Sequence, residues 1–318
     1  MLDVVTMGEA MIQMAPRQTG LLRHARAFER YVGGAESNVA IGLARLEHEV
    51  GWISRVGADE FGACVQSTIR GEGVDTSQVI RDEEAPTGVY FKEQRRADHT
   101  RVYYYRDGSA ASRLGPSDLD PDYIGRAEYL HLTGITPALS DHCREATWEA
   151  LRIADERDVA VSFDPNVRRK LWSEAEARAT LRDMVPAVHT LLTGAGEAAL
   201  LTGEDDPRRA ARALRDLGPT QVVVRLGAEG ALGLGPNGFA QRPAIEVKPV
   251  DVVGAGDAFT AGYLSGQLRG HSIEQSLRIG NVAGGLATTV QGDCEGIPTR
   301  EEVRAYLDTP DASSTVDR

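Results

Sequence analysis

The stretch Asp251-Val252-Val253-Gly254-Ala255-Gly256-Asp257-Ala258-Phe259-Thr260-Ala261-Gly262 leads into an apolar-periodic segment, about Asp257 to Leu268. A glycine-rich turn feeding a long helix is therefore expected. Small residues let a ligand come close to the backbone. The free N–H groups of a first helical turn, with the helix dipole, favour an anion there. Asp257 puts a carboxylate at the same spot, which is costly for anion binding alone. It suits a reaction in which that carboxylate takes the proton of a hydroxyl attacking phosphorus, where a positioned general base contributes roughly 10²–10⁴ in rate. The competing structural role for Asp257 is to cap the helix.

Other chemistries find less support. No G-x-x-x-x-G-K-[ST] occurs, so a Walker P-loop is excluded. Gly233-Leu234-Gly235-Pro236-Asn237-Gly238 matches G-x-G-x-x-G, yet a dinucleotide fingerprint must open a helix. Here the residues from Phe239 to Val247 read as extended, and Asn237-Gly238 is a hairpin turn signal. No Ser/His/Asp triad is suggested. His131 lies in an apolar strand pattern and reads as a core histidine, and the other histidines have no metal-ligand spacing. The three cysteines, Cys64, Cys143 and Cys294, are far apart and form no C-x-x-C pair, which argues against a disulfide framework or a zinc site and fits a reducing cytoplasm.

The elements that must hold this turn alternate along the chain. Strands are expected at Val4–Met7, Val50–Val56, Tyr129–Leu132, Val159–Phe163, His189–Leu192 and Gln221–Arg225. Helices are expected at Ala35–Leu46, Glu60–Ile69 and about Asp141–Glu156, Glu174–Met184 and Asp206–Asp216. Such alternation implies βαβ units and a mostly parallel sheet with helices on both faces. Two regions, 11–32 and 87–106, break the pattern and read as antiparallel strands outside the main sheet, a lid or a dimer contact. One domain, 1–308, with these lid segments inserted, and a disordered tail at 309–318 complete the expected organisation.

With 318 residues, 42% of them apolar and 26% charged, the chain has ample material for a core. The net charge of −12 argues against a nucleic-acid partner. No uncharged apolar run reaches the roughly 18 residues of a membrane span, and Asp3 and Glu9 interrupt the first apolar run, so no leader peptide is expected.

Gly33-Gly34-Ala35-Glu36-Ser37-Asn38-Val39-Ala40 and Asp251-x-x-Gly-Ala-Gly-Asp257, in that order, resemble the two signatures of the ribokinase (PfkB) family of carbohydrate kinases. Within that family the chain is similar to the 2-keto-3-deoxygluconate kinases. The similarity runs through Tyr31–Glu36, Arg101–Arg106, His131–Leu139 and Gly292-Asp293-x-Glu295-Gly296. The resemblance implies a ribokinase-like three-layer αβα sandwich with a small β lid, and ATP with Mg²⁺ as cofactors. It makes Asp257 the base and the backbone of Gly254, Ala255 and Gly256 the anion hole for the moving phosphoryl group. It places Gly34 and Asn38 on sugar hydroxyls, Asp293 and Arg168 on the substrate side, and Asn166 near the phosphates. The turn Arg225-Leu226-Gly227-Ala228-Glu229-Gly230 would lie along ATP and Asn281 near the adenine. Where the family usually carries Asn-x-x-Glu, this chain has Gly194-Ala195-Gly196-Glu197, so Glu197 is left as the residue that helps to place Mg²⁺.

The carboxylate of a keto acid needs a cation. Strand alternation puts Tyr104 and Arg106 on one face, with Tyr90 on the neighbouring strand, so the three can converge on one ligand. Arg168 follows a buried-looking strand at its carboxyl end, where α/β sheets bind ligands, and an arginine fork suits a carboxylate. The expected activity is ATP-dependent phosphorylation of the terminal hydroxyl of a sugar acid, most specifically 2-keto-3-deoxygluconate. A neutral-sugar kinase of fructokinase or ribokinase type is the nearest alternative, and a non-catalytic ligand-binding protein on the same fold is the next. Unpaired lid edges further imply a homo-oligomer.

Overall fold

The computed structural model describes residues 1–96 and 99–308. The tail expected at 309–318 and the tip of the lid hairpin, Ala97-Asp98, lie outside the described residues. In chain order the strands are β1 (Leu2–Met7), β2 (Met11–Pro16), β3 (Phe28–Gly33), β4 (Val50–Gly57), β5 (Val79–Asp82), β6 (Val89–Arg96), β7 (His99–Tyr105), β8 (Ala127–Thr133), β9 (Ala160–Asp164), β10 (Thr190–Gly194), β11 (Gln221–Arg225), β12 (Ala231–Gly235) and β13 (Gly238–Arg242). Nine form a main sheet in the order β13-β12-β11-β10-β9-β8-β1-β4-β5, and four form a small sheet in the order β3-β2-β6-β7. From β5 across to β11 every neighbouring pair is parallel. Strand β12 then returns antiparallel on β11, and β13 on β12.

Period-two alternation assigns the faces. Val4 and Val5 are both fully buried but pack into different clusters. Val5 and Met7 join Leu130, Leu132, Phe163 and Leu191 beneath the helices Asp141–Glu156 and Glu174–Met184. Val4 joins Trp52 and the apolar sides of the helices Ala35–Arg45 and Ala255–Leu268 on the other face. The result is the expected three-layer αβα arrangement. Side-chain caps start several of its helices: Ser140 accepts from the Cys143 N–H at 3.1 Å, Ser173 from Glu176 at 3.2 Å and Asp206 from Arg209 at 2.9 Å. No helix among the described residues is long and apolar enough to cross a membrane.

Two differences from the sequence reading have physical causes. The helix after the glycine-rich turn begins at Ala255, two residues before Asp257, because Gly254 with φ of 78° serves as its cap residue. In the small sheet β2–β3 and β6–β7 are antiparallel as expected, but β2 and β6 are parallel. Both strands leave the main sheet in the same direction, β2 directly after β1 and β6 after β5. The Gly233–Gly238 segment is a hairpin in which Gly235 pairs with Gly238, so it opens no helix.

Leu191 sits at mid-sheet with no exposure. Leu191→Ala is expected to lower stability by about 2–5 kcal/mol, whereas Trp148→Ala, at a side chain 41% exposed, costs much less. Urea unfolding of the two variants checks this.

Candidate active site

The site forms where the carboxyl ends of β1, β8 and β9 meet the small sheet, beside the reversal of strand order at β1. The Gly254 turn supplies its floor. A Cβ on Gly254 would lie 2.1 Å from the Asp293 carbonyl oxygen, so both the left-handed φ and the close approach require glycine. The first bond inside the helix runs from the Ala258 N–H to the Gly254 carbonyl at 2.9 Å. The N–H groups of Ala255, Gly256 and Asp257 therefore have no intrahelical acceptor, a geometry that suits an anion.

Asn38, in the first turns of the helix Ala35–Arg45, reaches across this floor. Its Nδ2 donates to Asp257 Oδ2 at 2.8 Å and to Asp293 Oδ1 at 2.8 Å. Tyr90 on β6 donates to the other oxygen of Asp293, and it stands 2.8 Å from Gln13 Oε1. Gly33 must lack a side chain, since a Cβ there would lie 1.9 Å from Asp293 Oδ2. Glu36 pins the start of the same helix by accepting from Thr133 at 2.6 Å and Thr136 at 2.9 Å, and its burial pushes its carboxyl pKa up.

Asn38, Tyr90, Asp257 and Asp293 line a cavity of about 140 Å³ together with Gly34, Tyr104, Arg106 and Arg168. A larger open depression, about 770 Å³, lies near the amino ends of β9 and β10 and includes Trp148, Arg152 and His189. It is remote from the carboxyl ends of the strands, so the smaller cavity is the candidate site despite its size. Desolvation pushes the Asp257 pKa up to about 8, with the carboxylates of Asp293 and Asp164 adding to the rise, while the Asn38 donor and the Arg168 charge oppose it. Desolvation also raises Asp293, against the donors Tyr90 and Asn38 and the charges of Lys92 and Arg168. Tyr90 is raised by burial and by Asp293.

The cations differ in how far they are committed. Arg106 is buried and ion-paired with Glu9, whose other oxygen accepts from Ser109 at 2.7 Å. Arg106, expected with Tyr90 and Tyr104 beside a ligand carboxylate, lines the cavity with both of them; Glu9 takes one of its terminal nitrogens, and its Nε has no hydrogen-bond partner among the described residues. Lys92 pairs with Asp251. Arg168 is exposed at the cavity wall, and its side chain forms no ion pair or hydrogen bond with the described residues, its carbonyl alone accepting the Leu171 N–H at 2.8 Å. The Tyr104 ring packs against Tyr90 at 5.7 Å, with the Arg106 guanidinium 5.4 Å and the Lys170 ammonium 5.6 Å from its centre.

Along the ends of β9, β10 and β11 lies the second group of expected residues. Asn166 has φ of 38°, and its N–H donates to Asp164 Oδ1 at 3.1 Å. Arg225 meets Asp164 in a two-pronged pair, at 2.8 and 3.0 Å, and donates to the Gly256 carbonyl at 3.1 Å. It thus ties β9 and β11 to the start of the helix Ala255–Leu268, at the head of the turn expected along ATP. Gly227 and Gly230 shape the following turn with φ of 62° and 96°. Asn281, expected near the adenine, donates its amide to the carbonyls of Arg242 and Pro243, at 3.0 and 2.9 Å, and so holds backbone there. Glu197 accepts the N–H groups of Val167 at 2.7 Å and Gly194 at 2.9 Å, and burial raises its pKa. Among the described residues no group of three or more His, Cys, Asp and Glu has the geometry to hold a metal. Glu197 and Asp164 offer too few oxygens for a protein cage, but they fit a hydrated Mg²⁺ held chiefly by phosphates.

Sequence reasoning missed Glu9, Gln13, Lys92, Asp164 and Glu36. The available signal was position: Glu9 and Asp164 both stand at carboxyl ends of expected strands, and Glu36 lies inside a quoted motif. His131 is fully buried with Nδ1 3.1 Å from Ser162 Oγ, its pKa lowered to about 4 by desolvation, in keeping with a core histidine.

The model of the "pfkB family carbohydrate kinase" matches residues 1–300. A protein of Bacillus subtilis named 2-dehydro-3-deoxygluconokinase is 39% identical over 310 residues, 96% of this chain and 95% of that protein. One of the same name from Thermoproteus tenax is 38% identical over 311 residues, 96% of this chain and 94% of that one. The crystal structure of a 2-dehydro-3-deoxygluconokinase from Thermotoga maritima superposes with a TM-score of 0.91 at 25% identity, over 97% of this chain and all of that one.

A carboxyl whose folded pKa is raised binds its proton more tightly in the folded than in the unfolded chain, so it costs stability as pH rises from about 4 towards 8. Asp257→Asn removes that cost. The variant is expected to melt above wild type at pH 7–8, by about 2–4 °C once water reaching the cavity is allowed for, with the gap closing near pH 4. Thermal melts across this pH range test the sign.

Proposed function

Because the chain belongs to the pfkB family of carbohydrate kinases, we propose that it transfers the γ-phosphoryl group of ATP to the terminal hydroxyl of 2-keto-3-deoxygluconate, giving 2-keto-3-deoxy-6-phosphogluconate and ADP. The observation that carries this reading is a carboxylate, Asp257, with a raised pKa at the mouth of a helix whose first N–H groups are free.

In this mechanism Asn38 and the cavity wall orient the sugar acid, and Arg168 receives its carboxylate. Asp257 takes the hydroxyl proton as the new O–P bond forms and the bond between the γ-phosphorus and its bridging oxygen breaks. The amides of Ala255, Gly256 and Asp257 hold the charge on the moving group; preorganised donors of this kind are worth about 3–4 kcal/mol each. Asn166 and the turn Gly227–Gly230 border the nucleotide phosphates. Bound Mg²⁺, placed with help from Glu197, would neutralise phosphate charge. The small sheet over the cavity excludes water, which would otherwise compete as nucleophile.

The proposal includes a cytoplasmic location, in line with three unpaired cysteines and the use of ATP. It also includes a homo-oligomer built through the small sheet. Tyr105 on its edge strand is 68% exposed and Tyr103 37%, and such an edge is usually covered. Light scattering that gives a concentration-independent monomer would refute that part.

A coupled ADP-release assay with 2-keto-3-deoxygluconate, its galactonate epimer, 2-ketogluconate, fructose and ribose tests the substrate. Faster turnover of a neutral sugar sinks the sugar-acid reading, and no ADP with any of them favours a non-catalytic protein. Asp257→Asn should lower kcat by at least 10²–10⁴ with ATP binding kept. Arg168→Ala should raise KM for the keto acid by about 10–100-fold and leave a neutral sugar little changed.

A further inference from the structure

Lys92 is one of three lysines in the chain and the only buried one, at 6% exposure; Lys170 and Lys248 are exposed. It projects from β6 of the small sheet, yet its ammonium contacts Asp251 Oδ2 in the loop before the glycine-rich turn. Both side chains are withdrawn from water, at 8% and 11% exposure. Surface ion pairs contribute little, but a desolvated one strongly disfavours losing either member.

What Asp251 does with its carboxylate gives this pair a role. One oxygen accepts the Val253 N–H at 3.3 Å, and the oxygen facing Lys92 accepts the Gly292 N–H at 3.4 Å. Val253 directly precedes Gly254, and Gly292 directly precedes Asp293. A single carboxylate therefore holds both the segment that carries the anion cradle with Asp257 and the loop that carries the second cavity carboxylate. The same lysine lines the cavity and an adjoining hollow of about 210 Å³ formed with Arg17, Val250 and Gln291.

We propose that Lys92 is a positioning residue: through Asp251 it sets the Val253–Asp257 turn and the Gly292–Asp293 loop, so that the phosphoryl cradle takes its shape only with the small sheet seated over the main one. This rests on the phosphoryl-transfer reading for its kinetic consequence, but not for its structural one.

The test combines steady-state kinetics, using ATP and 2-keto-3-deoxygluconate, with amide hydrogen exchange on the ligand-free protein. Lys92→Ala should lower kcat by about 10²-fold, the penalty typical of a misplaced catalytic group, with KM for the sugar acid little changed. Exchange should accelerate at 253–257 and 292–293. Ammonium chloride should restore kcat in a saturable way, and sodium chloride at equal ionic strength should not. Lys92→Arg should keep most of the activity. A near wild-type kcat in Lys92→Ala, unaltered exchange in these two segments, or ammonium acting no better than sodium each overturns the proposal. If Lys92→Ala does not fold, Asp251→Asn decides: the same kcat loss and faster exchange support the role, and wild-type values remove it. Wild type inert towards the sugar acid would sink the phosphoryl-transfer reading, and the exchange data alone would then decide the part played by Lys92.

Discussion

One amide group stands between two carboxylates. Asn38 donates both hydrogens of its Nδ2, one to Asp257 and one to Asp293, each at 2.8 Å. Without it, two acids in one small cavity would face each other with only desolvation and repulsion between them. With it, their spacing is fixed, and much of the surrounding structure serves that spacing. The helix Ala35–Arg45 carries the amide, Glu36 anchors that helix to the end of β8 through Thr133, Gly33 leaves room for the Asp293–Tyr90 hydrogen bond, and Gly254 brings the Asp257 helix against the Asp293 backbone.

The charges follow from the same constraint. Burying acids in a protein of net charge −12 is tolerable only if cations are near. The chain resolves this by allotment. Glu9 takes Arg106, Asp251 takes Lys92 and Asp164 takes Arg225, and these pairs hold strand ends, lid and turn in register. Arg168 remains at the rim, its side chain unpaired among the described residues, where water keeps its charge affordable. Paired and unpaired arginines thus look alike in sequence.

That division explains what could be read from the sequence. The parallel sheet, its helices and the glycine-rich turn follow from periodicity and local signals, because each is decided within a dozen residues. The convergence of Gly34, Asn38, Tyr90, Tyr104, Arg106, Arg168 and Asp293 on one cavity came from motif resemblance and strand alternation, and the geometry brings them together. What stayed hidden are partnerships over long separations: Glu9 with Arg106, Lys92 with Asp251, Asn281 with the carbonyls of Arg242 and Pro243. No local pattern tells a free arginine from a paired one, since the partner is chosen by the fold. The parallel β2–β6 contact was hidden for the same reason, as it depends on where two distant crossovers deliver their strands.

The small sheet has an electrostatic role as well as a steric one. Desolvation is the largest cause of the raised Asp257 pKa, and Tyr90, Lys92 and Tyr104 of the small sheet form part of the wall that excludes water. A carboxylate in water is a weak base, whereas one with a pKa near ambient pH accepts a proton with far more driving force while still ionising in a useful fraction of molecules. Water admitted to the cavity would return Asp257 towards an ordinary carboxylate and, at the same time, offer a competing nucleophile. In the proposed reaction both consequences would be unfavourable for transfer to a bound hydroxyl, and the same covering surface would avoid both. The raised pKa of Asp257 and the exclusion of water are therefore one property of the cavity.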